Sequence, residues 1–412
     1  VNARPGRGTR SVHLRQYNER MLLQRLRRAG VASKADLARW AQLTHTAVGS
    51  IVQALEEAGL VESVGRRQDG QRGQPAGLYR LNPDGAFGVG VRLDRTSIET
   101  VLVDLSGKIL ARQAHDRLLP HPDQALDIVR RDVASVLDLL GPAERGRLAG
   151  VGLAQPYHLG SWLRELDLQG DFRIWNEVDF GTALSRAVRL PVFKENDGTA
   201  AGIAELFFGA GRAIDDFLYL FIGPAIGGAA VVDGEALRGH TGNAADVAML
   251  PVPPSRLASA PRTELAWDVL LTRASLNALT RHLRYHGVRV AGRADLAACF
   301  ERGDAAALEW LDDSVDALVP ALRSALAVLD VPVCVIDADV DGGLIDALIS
   351  RLEAGLRAIA PESCLTPRLQ RGSFGADAGA LGAASLPMFF NFSPRADVLR
   401  GHGPKSPEVA DA

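Results

Sequence analysis

The segment LPVFKENDGTAAG sets an amide and a carboxylate side by side, Asn196 and Asp197, where an apolar strand gives way to a small-residue helix. In open α/β sheets, ligands settle at that carboxyl end of a strand. An Asn–Asp pair there can hold sugar hydroxyls while the Asp accepts a proton, and it can equally be an ordinary helix N-cap. A second polar pair, Asn243 and Asp246, sits in the Gly-rich loop RGHTGNAAD after a strand; His240 beside it reads as a loop histidine rather than a ligand. A third candidate, FIGPAIGGAA, has the glycines of a phosphate-binding turn, but Pro224 removes one of the backbone N–H donors such a turn supplies.

These residues need a scaffold, and the chain from Phe87 onward alternates strands and helices. GVGVRLD, TSIETVLVDL and GKILARQAHD read as three successive strands, and Gln124 to Leu140 as an amphipathic helix. LAGVGLAQP, LPVFKEND, the two strands flanking the Gly-rich turn and PVCVIDAD follow, with helices expected at 182–189, 264–285, 305–329, 344–360 and 379–386. Strands that recur after helices predict an α/β fold built from two similar halves.

Ahead of this body lies a different texture. NERMLLQRLRRAG repeats apolar residues at helical spacing and stops at Gly30; SKAD is a capping-box-like start at Ser33 for a second helix; Thr44 can cap a third, HTAVGSIVQALEEAG. LVESV and LYRLNP then bracket a basic loop. Three short helices followed by a basic hairpin is the order of a winged helix-turn-helix, in which the third helix enters the DNA major groove and the wing touches the backbone or minor groove. On that third helix Thr44, His45, Thr46, Gly49, Ser50 and Gln53 are the candidate base-reading positions, and Arg66, Arg67 and Arg72 on the wing the phosphate or minor-groove contacts. A helical interaction domain with a solvated basic loop is the bland alternative.

The 412-residue chain has a formal net charge of −3 that conceals a split: residues 1–85 hold 14 Lys/Arg against 7 Asp/Glu, and the other 327 hold 32 against 42. A basic head on an acidic body fits a nucleic-acid module joined to something else. Cys299, Cys334 and Cys364 form no zinc-type spacing and suggest buried thiols in a reducing compartment. The longest uncharged apolar stretch, 217–232, has 16 residues, short of the roughly 20 that span a bilayer. With no apolar run after the basic N-terminus, a cytoplasmic location and no membrane partner are expected.

Taken in order, five segments carry a family resemblance: ADLARWAQLTHTAVGSIVQALEEAGLVE and GQPAGLYRLNP in the head, then LPVFKENDGTAAGIAELFFGAG, FIGPAIGGAAVVDGEALRGHTGNAADVAML and SFGADAGALGAASLP. The chain resembles the ROK family (repressors, open reading frames, sugar kinases) from about residue 12 to 395, and within it the transcriptional-regulator branch that holds xylose and N-acetylglucosamine repressors. The resemblance implies an α/β chain with an N-terminal winged helix-turn-helix followed by a two-lobed, actin-like ATPase fold of the sugar-kinase and ribonuclease H type. It implies a disordered arm at 1–10, the DNA-binding domain at 11–83, the effector-binding body at 84–395 and a disordered tail at 396–412.

Carried over residue by residue, the family's sugar-contacting pair matches Asn196 and Asp197, the Asp being the base that deprotonates the sugar hydroxyl in the kinases. The family's Glu-x-x-His motif falls on Asp246 and Met249, so the acid is shortened and the histidine lost; a second sugar-contacting Glu corresponds to Glu264. The family's zinc-binding CxCGxxGC run is replaced by VPPSRLASAPRTELAW, without a cysteine, so no metal is expected there. In the wing, the common Gly-Arg-Pro hook stands as Gly73-Gln74-Pro75. On the ATP side Asp94 survives, but Arg95 and Thr96 follow it, Pro224 and Ala225 replace Thr-Gly, and IDADVDGG brings Asp337, Asp339 and Asp341 where the family has glycines. Carboxylates and Pro oppose phosphate binding.

The expectation is therefore a sugar-responsive transcriptional regulator, a repressor without catalytic residues or cofactor. Its DNA set is Thr44, His45, Thr46, Gly49, Ser50, Gln53, Arg66, Arg67, Arg72 and Gln74, and its sugar set is Asn196, Asp197, Asp246 and Glu264. It is expected to act as a homodimer or dimer of dimers on a palindromic operator. The rivals are a carbohydrate kinase with an attached head and a DNA-tethered protein-interaction module.

Overall fold

Side chains at two helix starts in the head do what their spacing predicts. In the computed structural model, which describes residues 7–401 apart from 68–75, 164–165, 167, 169, 171, 341–342 and 359–365, helix α1 (Arg7–Ala29) is followed by a two-residue strand β1 (Ala32–Ser33) and helix α2 (Lys34–Ala41). Ser33 Oγ accepts from Asp36 N at 3.1 Å while Asp36 Oδ2 accepts from Ser33 N at 3.2 Å, a reciprocal capping box. Thr44 Oγ1 accepts from Ala47 N at 3.2 Å and opens α3 (His45–Glu57). Strands β2 (Val61–Arg67) and β3 (Ala76–Leu81) pair antiparallel, and β1 adds to the far side of β3, giving the order β1-β3-β2. Leu22, Leu26, Leu37, Val48 and Val52 close the core of the head, while Trp40 on α2 is exposed. The helix begins at Arg7, inside the arm expected to be disordered, because residues 7–10 extend the α1 ladder.

After the head come β4 (Phe87–Asp94), β5 (Ser97–Asp104), β6 (Ile109–Asp116), α4 (Pro122–Leu137), the single turn α5 (Pro142–Arg145), β7 (Leu148–Gln155), α6 (Phe180–Val188) and β8 (Val192–Asn196). There follow α7 (Asp197–Phe207), β9 (Phe217–Ile222), β10 (Ile226–Val232), β11 (Glu235–Ala236), β12 (Pro251–Val252), β13 (Asp268–Val269), α8 (Leu270–Ala274), α9 (Leu276–Tyr285), α10 (Arg293–Glu301), α11 (Ala305–Leu329) and β14 (Val333–Ala338). The chain continues with α12 (Gly343–Ala358), β15 (Arg368–Arg371), α13 (Ala378–Phe392) and α14 (Ala396–Arg400).

The expected internal similarity is visible in the sheets. One is ordered β6-β5-β4-β7-β8 and the other β11-β10-β9-β14-β15, the same third-second-first-fourth-fifth arrangement twice. In each, three consecutive strands form an antiparallel meander. In the second sheet β14 joins β9 in parallel and β15 joins β14. Strand β14 is buried along its whole length, as its unbroken VCVIDA run suggests for a strand covered on both faces. Strand β6 alternates half-buried and exposed residues, as an edge strand should.

The chain divides into two compact units. One comprises residues up to 153 with 179–194 and 383 onward; the other comprises 154–178 and 195–382. The head belongs to the first, where α14 packs against α1. Residues 396–400 thus form a docked helix rather than the disordered tail expected there. Helix α1 also caps the end of α13: Arg20 Nη1 donates to Phe390 O at 3.1 Å and to Ser393 O at 3.4 Å. Cys299 and Cys334 are buried free thiols, burial pushing the second up to about 12; Cys364 lies outside the described residues. Among the described residues no helix is long and apolar enough to cross a membrane.

Candidate functional site

In the second unit, the polar pair at the end of β8 is positioned by a glycine-to-glycine contact. Asn196 is the N-cap of α7, its Oδ1 accepting from Gly198 N at 2.9 Å and Thr199 N at 3.2 Å. Asp197 opens the helix, half-buried, and its Oδ1 accepts from Gly198 N at 2.9 Å. Capping and ligand binding are thus compatible readings of the same pair: the cap fixes where the side chains stand. A side chain on Gly198 would lie 2.7 Å from Gly228 N, so α7 can approach β10 this closely only with glycine at 198.

Gly228 also carries the second loop. A side chain there would lie 2.5 Å from Ala245 O and 2.8 Å from Val247 Cγ2. The Asn196–Asp197 turn and the Ala245–Val247 segment therefore pack against two adjacent glycines of β10, Gly227 facing Gly198 and Gly228 facing Ala245. Asn243 Nδ2 donates to Asp246 Oδ2 at 2.9 Å, as expected for two polar residues of one loop. Asp246 is solvent-accessible, yet surrounding protein strips enough water to push its carboxyl up, against the opposing pull of the Asn243 hydrogen bond. Arg238 Nη2 reaches the buried Glu195 Oε1 at 2.7 Å and ties this loop to the end of β8. Sequence reasoning missed Glu195 and Arg238; Glu195 stands between Lys194 and Asn196 in the strand, so nothing local marked it as the buried one.

Glu264 lies in the loop between β12 and β13. The helix expected from 264 begins at Leu270, because Asp268–Val269 pairs with Pro251–Val252 as strand β13. Glu264 stands exposed in the preceding loop, and no hydrogen bond or ion pair holds it among the described residues.

In the head, His45, Thr46, Ser50 and Gln53 are all exposed along one side of α3, opposite buried Val48, Ile51, Val52 and Leu55. Nothing lies within 4 Å of where a Gly49 side chain would stand, so that face is open. Thr44 is exposed at the cap, and Gln53 Nε2 is held by Glu57 Oε1 at 3.0 Å. Arg66 is exposed on β2, just beyond a bulge at Ser63–Gly65. Arg67 ends that strand; Arg72 and Gln74 lie outside the described residues.

A profile described as "ROK family" matches residues 88–388 of the chain. The chain belongs to the ROK family. It is 28% identical over 384 residues to the uncharacterized protein y4fQ of Sinorhizobium fredii, covering 91% of each chain. It is 30% identical over 320 residues to a glucokinase of Thermotoga maritima, covering 72% of this chain and 96% of that one. It is 24% identical over 241 residues to the DNA-binding transcriptional repressor Mlc of Escherichia coli, covering 58% and 59%. A solved ROK family transcriptional regulator, described as a homolog of E. coli MLC, superposes with a TM-score of 0.66 at 20% identity over 94% of this chain and all of the other. The body has the α/β, actin-like sugar-kinase fold, and the head stands where such a regulator carries one.

The loop after β12 is held by a polar node. Arg273 Nη2 meets Asp313 Oδ1 at 2.7 Å and Nε meets Oδ2 at 3.1 Å, both side chains buried. The same groups reach into the loop: Arg273 Nη1 donates to Pro253 O at 2.7 Å, and Ser255 Oγ to Asp313 Oδ2 at 3.0 Å. At the end of β14, Asp337 is buried and accepts from Ala338, Phe374 and Gly375 N at 3.0–3.3 Å. Burial pushes its carboxyl up, and these backbone donors pull it back down. Its carboxylate is a brace for the 372–375 turn, using N–H groups that could otherwise face a phosphate. Asp339 is also buried, 3.1 Å from Arg293 Nη1, and Asp341 lies outside the described residues. Asp94 is held by its neighbours, accepting from Arg95 N at 2.7 Å and lying 3.3 Å from Arg92 Nη2.

Proposed function

We propose that this ROK protein is a sugar-responsive DNA-binding transcriptional regulator, a repressor of carbohydrate uptake or catabolism genes that a sugar ligand releases from its operator. The observation that carries the reading is the open polar row His45, Thr46, Ser50 and Gln53 on a capped third helix, beside a basic wing strand. A kinase has no use for such a row; a groove-reading helix requires it. Thr44, Gly49, Arg66, Arg67, Arg72 and Gln74 complete the DNA set. One head reads only a few base pairs, so a homodimer on a palindrome, or a dimer of dimers, is the working form.

The proposed effector contacts are Asn196, Asp197 and Asp246 on the loops that pack against β10, with Glu264 as a further contact from the loop before β13. The relatives' names support the repressor reading: Mlc and the xylose repressor of Bacillus subtilis are repressors. The glucokinase relationship keeps carbohydrate phosphorylation as the rival. Pro224 in the β9–β10 turn and the occupied N–H groups around Asp337 speak against nucleotide binding.

The test begins with selection of duplexes from a random library by the full chain. The best duplex is then titrated by fluorescence anisotropy with a panel of monosaccharides, polyols and amino sugars. The expected result is a palindrome with half-sites about 10 base pairs apart and at least one sugar that weakens binding tenfold, about 1.4 kcal/mol. No selected sequence, or none of the sugars altering its affinity, would sink the proposal; ATP-dependent phosphorylation of a sugar in the panel would establish the rival.

A further inference from the structure

Away from the sugar cluster, three metal-competent side chains converge between α9 and α11. His282 and His286 are one helical turn apart, the second capping α9, and so share a face. Glu309, on the first turns of α11, lies opposite. His282 Nε2 is 3.3 Å from Glu309 Oε2, His286 Nε2 is 3.6 Å from the same oxygen, and all three ligand atoms lie within 4.8 Å of one another. Ligands bound at about 2.0–2.1 Å around a tetrahedral zinc are spaced about 3.3–3.5 Å apart, so the atoms already stand near that distance.

A second observation separates this cluster from a chance ion pair. The His282 side chain is 2% exposed, and its enclosed Nε2 faces Glu309 Oε2 at 3.3 Å without an aligned hydrogen bond. The other ring nitrogen, Nδ1, is 2.7 Å from Ser259 Oγ. That contact accommodates the proton on Nδ1 and leaves the Nε2 lone pair aimed at Glu309 and His286, the arrangement a histidine ligand needs from its outer partner. His286 and Glu309 are 41% and 54% exposed, so an ion has an entry path and a water can complete its shell.

We infer that His282, His286 and Glu309 form a three-ligand site for a divalent transition ion of the zinc class, with Ser259 as its outer-sphere partner. Two imidazoles and one carboxylate suit zinc rather than calcium or magnesium. The bound ion would join α9 to α11 and, through Ser259, fasten the loop at 253–267 that lacks the ROK cysteines. The proposal concerns different residues from the sugar cluster and stands whether or not the chain binds DNA.

The experiment uses the full chain without an affinity tag, stripped with a chelator, titrated with zinc by calorimetry and with cobalt by visible absorption. One equivalent per chain and the intense absorption of four-coordinate cobalt are expected. H286A and E309A replace exposed side chains, and far-UV dichroism and the metal-free melting temperature verify their folding. Each should weaken zinc about 100-fold or more, and S259A about 10-fold. A native chain that takes up no stoichiometric zinc overturns the proposal, as does zinc uptake that H286A and E309A leave unchanged.

Discussion

Arg273 and Asp313 meet in a buried fork, Nη2 to Oδ1 at 2.7 Å and Nε to Oδ2 at 3.1 Å, which also holds the backbone of Pro253 and the hydroxyl of Ser255. The pair fastens the loop before β13 to α8 and α11. Trp310 Nε1 donates to Arg273 O at 3.0 Å and closes the node from α11. Removing one member leaves the other charge buried without its partner, at a cost of about 3–5 kcal/mol. R273A and D313A should each lower the urea midpoint accordingly. The double variant R273M/D313L should recover much of that loss, since apolar replacements of similar volume spare the desolvation. Equal midpoints for R273A and the native chain would show that the fork contributes nothing net.

Asn196 and Asp197 should separate cap from ligand contact. Asn196 Oδ1 satisfies two N–H groups of α7, so N196A should cost about 1 kcal/mol of stability as well as weaken the sugar response. D197N keeps the shape and removes the charge; it should abolish the sugar effect on DNA affinity while shifting the melting temperature little. G228A forces a methyl against Ala245 O and Val247, displacing the Asp246 loop, and should cost about 1–3 kcal/mol. A D197N protein that responds to sugar like the native one would remove Asp197 from the effector site.

What was legible in the sequence follows how local the determinant is. The Ser33–Asp36 box and the Thr44 cap are set by residues three apart, and both formed as their spacing required. The duplicated strand-and-helix rhythm likewise showed through apolar periodicity. Strand β1 was not legible, because two residues, Ala32 and Ser33, become a strand only when β3 supplies Leu78 and Tyr79. Glu195–Arg238 and Arg273–Asp313 pair residues more than 35 positions apart, and no local pattern selects those partners. Glu264 was misplaced for a related reason: helical periodicity around it gave way to the β12–β13 pairing, with Ser275 rather than Glu264 providing the cap of α9. Helix α14 escaped notice because five residues are too few to show a period, and its docking on α1 holds it.

The head should divide into residues that read bases and residues that neutralise phosphate. Gln53 and Ser50 are exposed on α3; Q53A or S50A should relax preference at one position of each half-site by about 1–3 kcal/mol. Gln53 is held by Glu57 at 3.0 Å, so E57A, which frees the amide, should alter the same position. Arg66 lies on the wing strand, and R66A should weaken all sequences alike and reduce the slope of log affinity against log salt by about one per head. Anisotropy titrations at several salt concentrations with native and single-base-changed duplexes separate the two classes. An R66A variant with unchanged salt slope and altered base preference would reverse its assignment.

Helix α13 begins in the unit that carries Asn196 and ends in the unit that carries the head. In the first, a side chain on Gly382 would lie 2.8 Å from Ala200 C and Ala201 N, so α13 presses on the backbone of the helix that Asn196 caps. In the second, Pro387 cannot donate to Ala383 O, and that carbonyl instead faces Gly152, where no side chain fits. Beyond the proline, Arg20 Nη1 of α1 holds the carbonyls of Phe390 and Ser393, and the Arg395 guanidinium sits 4.5 Å from the Phe390 ring. A sugar bound as proposed acts on α7 and so on the Gly382 end of α13, and it alters operator binding only if it binds two arrangements of the chain with different affinity. R20M keeps the aliphatic stem and deletes the carbonyl contacts. Operator affinity without sugar and sugar affinity without DNA should each stay within about threefold, while the sugar-induced weakening falls by tenfold or more, a loss of about 1.4 kcal/mol of coupling. Full release of R20M by the same sugar concentration would show that the signal reaches the head by another route.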